Sequence, residues 1–364
     1  MPSAPDLLVV GGGPAGCAAA LHARAAGLSV ELVWQPDRTA RPVESLPPAS
    51  RRLLADLGCW PGFAGAGWLA SSGTRSAWGS PFAADRDSVR DPDGPGWLVD
   101  RADFDAFLRD QAAAAGVVLR PGRLHRLEVA SAGSGFGGAG SGFAGFGSGF
   151  AGELADGVPV TGRFLVDASG RAAVAASRLG ARRRYDDAAG EVPVATVHRY
   201  SVPGPPLRRT VLEAVPEGWW YTIGSATGSR TVGRISLPDE PASEPPPLIA
   251  AVLDGAVPVG GPRRVAANSG YLQPFTGPGW AAAGDAALSF DPLSSQGMLT
   301  ALFTGRAAAE AAVGWLAGQP AALSGYAGRL AAIRLAYRRN LALHYGMELR
   351  WPASRFWAGR PRVA

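Results

Sequence analysis

The sequence predicts an α/β fold in which a largely parallel sheet with flanking helices carries an inserted antiparallel sheet and ends in a helical segment. Three observations lead to this prediction. A glycine-rich loop follows an apolar stretch at residues 7–10, and a Gly-Asp pair occurs far downstream at residues 284–285. Between them, residues 181–265 form short alternating runs separated by Pro and Gly, a pattern typical of antiparallel strands. Such a section inside an α/β pattern indicates an inserted second domain.

The glycine-rich loop has the composition of a dinucleotide-binding turn. It reads GGGPAG at residues 11–16 and precedes a helical stretch at residues 15–26. Glycines allow the tight turn and let the backbone approach a pyrophosphate, whose charge is stabilised at the helix N-terminus. The motif is weak alone, and its strand-loop-helix setting is what favours a dinucleotide site.

The second strand, residues 28–33, lacks the acidic residue that usually follows it. In dinucleotide-binding units an Asp or Glu about twenty residues beyond the loop binds the adenosine ribose. That position is Trp34 here, and Glu31 lies three residues too early. Gln35 and Asp37 are the nearest substitutes, so we expect the ribose to be held less well than usual.

The chain divides into segments that differ in composition and hydrophobic pattern. We assign residues 1–70, 98–180 and 265–320 to the nucleotide-binding domain and residues 71–97 and 181–264 to the inserted substrate domain. Residues 321–364 form a C-terminal helical segment. Residues 131–152 are rich in Gly, Ser and Phe, which cannot form a packed core, and we expect a flexible hairpin loop there.

Composition excludes several classes of function. Of the 364 residues, 47% are hydrophobic and 18% charged, and all 35 basic side chains are arginine, since no lysine occurs. The basic run at residues 182–184 has no nucleic-acid recognition motif around it. Two cysteines and four scattered histidines predict neither a disulfide framework nor a metal site. With no signal peptide and no unbroken apolar span, we expect a cytoplasmic protein without membrane or nucleic-acid partners.

The motifs follow the order found in the flavoprotein monooxygenase superfamily. The Gly loop comes first, then Arg101 before a helix, Asp167 after a strand, the inserted sheet, the Gly-Asp pair, and finally Pro292 and Gly297. Over nearly the whole chain the sequence resembles this superfamily, whose fold is that of p-hydroxybenzoate hydroxylase. The resemblance implies an α/β fold with a Rossmann-like FAD-binding domain of the glutathione-reductase type and an antiparallel substrate domain.

The resemblance also implies roles for individual residues. Asp285 would hydrogen-bond the ribityl chain, Pro292 would lie near the flavin N5, and backbone N–H groups around Gly297 and Met298 would hold the flavin O2 side. Arg101 would approach the diphosphate or the ribityl region. The predicted cofactor-binding residues are Gly11, Gly13, Ala15, Gly16, Gln35, Ser45, Arg101, Leu124, Asp285, Pro292, Gly297 and Met298.

The electron donor is left open. In the superfamily an Asp-Gly motif assists NAD(P)H, but Asp167 is followed here by Ala168. NAD(P)H and a separate flavin reductase therefore remain alternative sources of electrons.

Three phrases resemble one branch of the superfamily. They are ESLPP at residues 44–48, GWWYTI at 218–223 and GDAALSFDPLSSQG at 284–297. The branch contains tryptophan halogenases and flavoproteins that modify protein tryptophan during quinone-cofactor maturation, and the second group looks nearer. Halogenases of this branch use a catalytic lysine and a W-x-W-x-I-P motif. This chain has no lysine, and Tyr221 and Gly224 replace the second Trp and the Pro.

These departures favour a monooxygenase that hydroxylates an aromatic substrate through a flavin C4a-hydroperoxide. The substrate would be a small aromatic molecule or, more specifically, an indole or peptidyl tryptophan. The alternatives are a flavin-dependent halogenase and a non-catalytic flavin-binding maturation factor.

Four residues are predicted to act on the substrate. Trp219 and Tyr221 would stack on an aromatic ring, with core packing as an equal alternative. Glu44 would serve as a base or substrate anchor, and Gln296 would hydrogen-bond the flavin or peroxide.

Overall fold

The computed structural model describes residues 4–36, 42–130, 149–186 and 191–362. Asp37 and most of the predicted Gly-rich loop, residues 131–148, lie outside the described residues.

Within these ranges the chain forms nine α-helices. Helix α1 begins with Pro at its first turn, and α4 begins after Asp100, whose Oδ1 accepts the Ala102 N–H at 3.0 Å. The helices are α1 Pro14–Ala25, α2 Ser50–Asp56, α3 Trp60–Gly65, α4 Arg101–Ala114, α5 Val174–Arg178, α6 Pro247–Ala250, α7 Gly297–Leu316, α8 Ala321–Gly346 and α9 Arg355–Ala358.

The same ranges contain short strands that form five sheets. The strands are β1 Leu7–Val10, β2 Val30–Trp34, β3 Val43–Leu46, β4 Leu69–Ala70, β5 Gly73–Ala77, β6 Ala84–Asp87, β7 Trp97–Asp100, β8 Val118–Pro121, β9 Leu124–Val129, β10 Phe150–Leu154, β11 Pro159–Gly162, β12 Phe164–Asp167, β13 Arg182–Tyr185, β14 Val194–Ser201, β15 Arg209–Val215, β16 Gly218–Gly224, β17 Ser229–Ser236, β18 Val257–Pro258, β19 Arg263–Ala266, β20 Gly270–Gln273, β21 Thr276–Gly277, β22 Trp280–Ala282 and β23 Leu288–Ser289.

The central sheet has six strands in the order β21-β22-β12-β1-β2-β8. Neighbours from β22 to β8 are parallel, and β21 is antiparallel to β22. All four residues of β1 are buried, as expected for a strand covered on both faces. The carboxyl ends of β1, β2, β8 and β12 therefore meet at one edge, where ligands bind in open α/β sheets. This confirms the predicted Rossmann-like fold.

Helices α1 and α7 pack closely beside this sheet. A Cβ on Gly305 would lie 2.1 Å from the Ala15 carbonyl oxygen, so only glycine fits at that point of α7. Gly284, with φ +58°, likewise brings its turn against the Ala15 methyl group. The start of α1 and the Gly-Asp turn are consequently held together, although they are far apart in the sequence.

The second large sheet has eight strands. Its order is β18-β14-β17-β16-β15-β5-β6, and β19 pairs with β14. Residues 73–87 supply two of these strands, with β5 parallel to β15 and β6 antiparallel to β5. Neither strand has a clear alternation of its own. β5 is ordered by pairing with the distant strand β15, and β6 by pairing with β5.

Helix α8 is the longest helix in the described ranges and forms most of the C-terminal segment. Its buried residues include Tyr326, Leu330, Tyr337, Leu341 and Tyr345, which repeat at helical spacing. Among the residues described, no helix is long and apolar enough to cross a bilayer.

Candidate functional site

A cleft of about 600 Å³ opens at the carboxyl edge of the central sheet. This volume is within the range of small-molecule and cofactor sites. The described lining residues are Val10, Gly11, Gly12, Gly13, Pro14, Ala15, Val33, Gln35, Pro36, Glu44, Arg101, Gly122, Arg123, Leu124, Ala168, Ser169, Gly170, Val174, Asp285, Gly297, Met298 and Ala301.

The structure brings most of the predicted cofactor-binding residues together in this cleft. Nine of them line it: Gly11, Gly13, Ala15, Gln35, Arg101, Leu124, Asp285, Gly297 and Met298. Glu44, which was predicted to act on the substrate, lines it as well. Gly16, Ser45 and Pro292 are not among the lining residues. Gly16 lies directly behind the loop, where a Cβ would be 1.8 Å from the Gly11 carbonyl oxygen.

Several lining residues were missed by the sequence analysis. Gly122 and Arg123 follow β8, and residues 168–170 follow β12. The rule that ligands bind at the carboxyl ends of parallel strands would have found these turns.

The glycine loop fits a diphosphate. Gly11 has φ +120°, and a Cβ there would lie 2.2 Å from the Ala168 carbonyl oxygen, so the loop passes tightly over β12. Gly13 precedes α1 and no side chain caps the helix. The first N–H groups of α1 and its partial positive charge therefore remain available to an anion in the cleft.

Trp34 is the last residue of β2, as the counting from the glycine loop requires. A Cβ on Gly12 would lie 2.5 Å from the Trp34 Cβ, so the tryptophan packs directly against the loop. The Arg109 guanidinium lies 4.2 Å from the centroid of the Trp34 ring and donates to the Gly12 carbonyl oxygen at 3.2 Å. Trp34 and Arg109 thus support the loop from behind, and Gln35, the residue after Trp34, lines the cleft.

This packing predicts how FAD affinity responds when the missing acid is restored. In Trp34→Glu the new carboxylate lies beside Arg109, and we expect it to pair with that cation instead of the ribose. Trp34→Glu combined with Arg109→Leu frees the carboxylate. We expect the double variant to bind FAD about tenfold more tightly than Arg109→Leu alone, equivalent to ~1.4 kcal/mol. Fluorescence titration of the apoproteins measures the FAD dissociation constants of both variants. A double variant that binds FAD no better than Arg109→Leu would contradict the assignment of position 34 to the ribose contact.

The Gly-Asp turn presents Asp285 to the cleft. Its side chain is 47% exposed, and its Oδ2 lies 4.0 Å from Arg171 Nε. Behind the turn, Arg183 Nη2 donates to the backbone oxygens of Asp285 at 2.8 Å and Ala286 at 3.0 Å. Burial lowers the pKa of Arg183, but the guanidinium stays charged near neutral pH. The backbone of the turn is therefore fixed while the Asp285 carboxylate stays open to a ligand.

A second helix N-terminus faces the cleft from α7. Gly297, Met298 and Ala301 line the cleft, and the residue before the helix, Gln296, makes no side-chain cap. The free N–H groups of this first turn can donate to a carbonyl oxygen of a bound ligand. Gln296 itself is exposed and lies outside the described lining.

An ion-pair network forms one wall of the cleft. Arg101 Nη1 donates to Glu44 Oε1 at 2.8 Å, and Arg101 Nε and Nη2 donate to the two Asp105 oxygens at 3.2 Å. Burial opposes the charge on Arg101, but Glu44 and then Asp105 outweigh burial and raise the pKa of Arg101. Arg101 thereby remains a cation that orients the half-exposed Glu44 carboxylate toward the cleft.

Trp219 does not lie at an open substrate surface. Its side chain is 1% exposed, its ring centroid lies 6.1 Å from that of Trp78, and its Nε1 donates to the Tyr345 hydroxyl at 3.2 Å. The expectation of stacking on a substrate does not agree with this position, whereas the core-packing alternative does. The reason is that Trp78 and Tyr345 pack against this side chain.

Tyr221 is half-buried on the same face of β16. A Cβ on Gly233, its partner on β17, would lie 2.0 Å from the Tyr221 ring, so the ring covers the glycine backbone. Burial raises the pKa of Tyr221, and the charge of Glu44 adds to the effect. Tyr221 lies near the Glu44 wall but outside the described lining of the cleft.

Asp167 is a structural carboxylate. It is fully buried, and its Oδ2 accepts the N–H groups of Ala175 at 2.9 Å and Ala176 at 2.7 Å in α5. Its Oδ1 accepts the Ser169 N–H at 2.9 Å. With both oxygens used inside the fold, Asp167 has no oxygen directed at a nicotinamide cofactor.

Comparisons with known proteins find similarity to flavin-dependent proteins. Residues 6–74 match the family model described as Glucose inhibited division protein A, an FAD-binding family. The chain is 26% identical over 356 residues to a tryptophan 2-halogenase of Chondromyces crocatus, covering 88% of this chain. The chain spans 63% of the length of that curated relative.

Solved structures extend the comparison. The myxobacterial chondrochloren halogenase CndH superposes with a TM-score of 0.81 at 25% identity, covering 100% of this chain and 87% of that one. The peptidyl tryptophan dihydroxylase QhpG, essential for tryptophylquinone cofactor biogenesis, has a TM-score of 0.75 at 22% identity and shares the fold over 100% of this chain and 80% of its own. These similarities confirm the predicted resemblance to the flavoprotein monooxygenase superfamily, in its branch of tryptophan halogenases and tryptophan-hydroxylating flavoproteins, and they support FAD as the cofactor of an oxidoreductase-type enzyme.

Proposed function

We propose that this protein oxidises an aromatic, indole-bearing substrate with O2 and reduced FAD. One observation carries the proposal. The glycine loop, the Asp285 turn and the uncapped start of α7 converge on one cleft, and the oriented Glu44 carboxylate lies on its wall. Residues 71–97 and 181–264 would form the substrate domain, which the joint eight-stranded sheet of β5, β6 and β14–β19 supports.

Bound reduced FAD would supply the activation of O2, and the protein would supply binding and orientation. The start of α1 would hold the diphosphate, Asp285 the ribityl hydroxyls, and the start of α7 the polar edge of the ring. Glu44 would accept a hydrogen bond from an indole N–H, because Arg101 holds one carboxylate oxygen and the side chain is 35% exposed. Arg101 would keep that carboxylate in place.

Halogenation is the reaction that the comparisons favour. The curated relative is a tryptophan 2-halogenase at 26% identity, and CndH is a halogenase at 25% identity. Both are more similar to this chain than the dihydroxylase QhpG at 22% identity. The sequence-based preference for hydroxylation is therefore less well supported than its halogenase alternative.

Hydroxylation remains the second candidate because the chain lacks the lysine that halogenases of this branch use. The chain contains no lysine, so no lysine amine can take part in handling an oxidised halide. A tryptophan in a peptide or protein would be the substrate in that case.

We also propose a separate flavin reductase as the source of electrons. Asp167, the residue that the resemblance connects with NAD(P)H, has its described contacts inside the fold. This argument favours delivery of reduced flavin from another protein.

Product analysis separates the two reactions. The protein is supplied with chemically reduced FAD, isotopically labelled O2, bromide and either free tryptophan or tryptophan-containing peptides. We expect a brominated product by mass spectrometry. A product that gains labelled oxygen and no bromine would reject halogenation in favour of hydroxylation, and FAD-loaded protein that gives neither product would contradict the proposed activity.

Glu44→Gln tests the substrate anchor in the same assay. We expect turnover to fall while FAD affinity stays within about threefold, because the amide retains an acceptor but loses the charge that Arg101 holds. Glu217→Gln, at an exposed turn, is the matched control that should leave turnover unchanged.

A further inference from the structure

The segment between the Gly-Asp turn and helix α7 requires external support. Residues 285–297, here called the 285–297 loop, include a 3₁₀ turn at Pro292–Ser294 and then Ser295 with φ +48°. A non-glycine residue in the left-handed region costs on the order of 1 kcal/mol and persists where its surroundings fix it. The loop connects two parts of the cleft wall, Asp285 and the start of α7.

Asp291 is the buried anchor of this loop. It is 3% exposed, and its Oδ1 accepts the Leu293 N–H at 2.9 Å, which caps the 3₁₀ turn. Its other oxygen, Oδ2, accepts the Tyr345 hydroxyl at 2.9 Å. One carboxylate thus fixes the turn from within and connects it to helix α8.

Tyr345 connects that anchor to the eight-stranded sheet. It is 1% exposed, lies in the last turn of α8, and accepts the Trp219 Nε1–H from β16 at 3.2 Å. Burial, and then the nearby Asp291 carboxylate, raise the pKa of Tyr345. The hydroxyl therefore stays protonated and serves as the donor to Asp291.

A second tyrosine of α8 holds the same anchor from its backbone side. The Asp291 N–H donates to the Tyr337 hydroxyl at 2.8 Å. The Tyr337 ring also stacks on Phe290, with centroids 4.0 Å apart and planes inclined by 9°. Two hydroxyls of one helix thereby form hydrogen bonds with the same residue of the loop.

We propose that Tyr345, acting through Asp291, is a positioning residue for the FAD site, with Tyr337 as its partner. The inference rests on the proposed role of the 285–297 loop and the start of α7 in holding the flavin. It assigns the C-terminal helix a task beyond packing, which is to fix the loop geometry that the flavin ring requires. Trp219 then contributes by orienting the Tyr345 hydroxyl, in place of the predicted contact with substrate.

The test is to compare two tyrosines of the same helix. Tyr345→Phe keeps the buried ring and removes the hydroxyl that Asp291 and Trp219 share. We expect FAD to bind about tenfold more weakly and the visible absorption and circular dichroism of bound FAD to change, because the ring environment is altered. Tyr326→Phe is the matched control, since its buried hydroxyl contacts the carbonyl oxygens of Ala282 at 2.7 Å and Thr304 at 3.2 Å, both outside the 285–297 loop. We expect it to lower the melting temperature comparably but to leave the flavin spectrum unchanged.

A double-mutant cycle adds a readout that simple destabilisation would not give. If Tyr345 acts through Asp291, adding Tyr345→Phe to Asp291→Asn should weaken FAD by less than the full tenfold effect. Equal effects of Tyr345→Phe and Tyr326→Phe on affinity and spectrum would overturn the inference. If Tyr345→Phe does not fold, Tyr337→Phe supplies the same comparison, with the same expectation. A wild-type protein that binds no FAD would instead contradict the proposed site itself.

Discussion

Gly16→Ala is expected to weaken FAD binding by roughly a hundredfold or more. The added Cβ would lie 1.8 Å from the Gly11 carbonyl oxygen and 2.9 Å from the Gly11 carbonyl carbon. Both are backbone atoms, so neither can move as a flexible side chain would, and the loop must shift relative to α1. Gly11 is itself confined, because a Cβ there would be 2.2 Å from the Ala168 carbonyl oxygen. The diphosphate-binding geometry cannot survive such a shift.

The expected size follows from the cost of overpacking, which is ~1–3 kcal/mol or more in a well-packed site. At about 1.4 kcal/mol per tenfold change, FAD affinity should fall by roughly a hundredfold or beyond detection. Isothermal titration with FAD measures this change. Gly328→Ala is the control, because no atom lies within 4 Å of its added Cβ on the exposed face of α8. A Gly16→Ala protein with ordinary FAD affinity would contradict the placement of the loop.

Asp285→Ala is expected to weaken FAD by about one to two orders of magnitude, the equivalent of a charge-assisted hydrogen bond of ~1.5–3 kcal/mol. The physical reason is that a half-exposed carboxylate on the cleft wall is available to the ribityl hydroxyls. Arg183 holds the backbone of this turn from behind, so the side chain can be removed without loss of the turn.

Two controls accompany this measurement. Asp285→Asn keeps an acceptor oxygen and loses the charge, and we expect an affinity between those of the wild type and Asp285→Ala. Asp239→Ala removes an exposed carboxylate that pairs with Arg355 at 2.9 Å, and FAD affinity should not change. If Asp285→Ala binds FAD like the wild type, the Gly-Asp turn is not the ribityl contact.

Trp34 shows where a sequence pattern is informative but incomplete. Counting from the glycine loop predicted that an acid is missing at the end of β2, and the structure places Trp34 at that end. The pattern could not show that Arg109, from α4, covers the Trp34 ring. That contact depends on how α4 packs behind the loop, which local periodicity does not report.

The ion pair between Glu44 and Arg101 shows the same limit. Both residues were named from motifs, but the 2.8 Å contact between them depends on tertiary structure. Glu44 lies in β3, which pairs antiparallel with β7, and Arg101 begins α4 directly after β7. Glu44 lies in a strand because β7 supplies its backbone hydrogen bonds. Pairing with the distant strand β15 likewise orders β5, which in turn pairs with β6.

The sequence by itself determined the nucleotide-binding end of this protein. Its glycines are required by backbone conformation and close approach, so they are visible as a local pattern in the sequence. Only the tertiary structure decided the position of Trp219, whose hydrogen bond to Tyr345 joins residues 126 positions apart. Burial of an aromatic side chain depends on which distant element covers it, and no periodicity in its own strand distinguishes a core ring from one that faces a substrate.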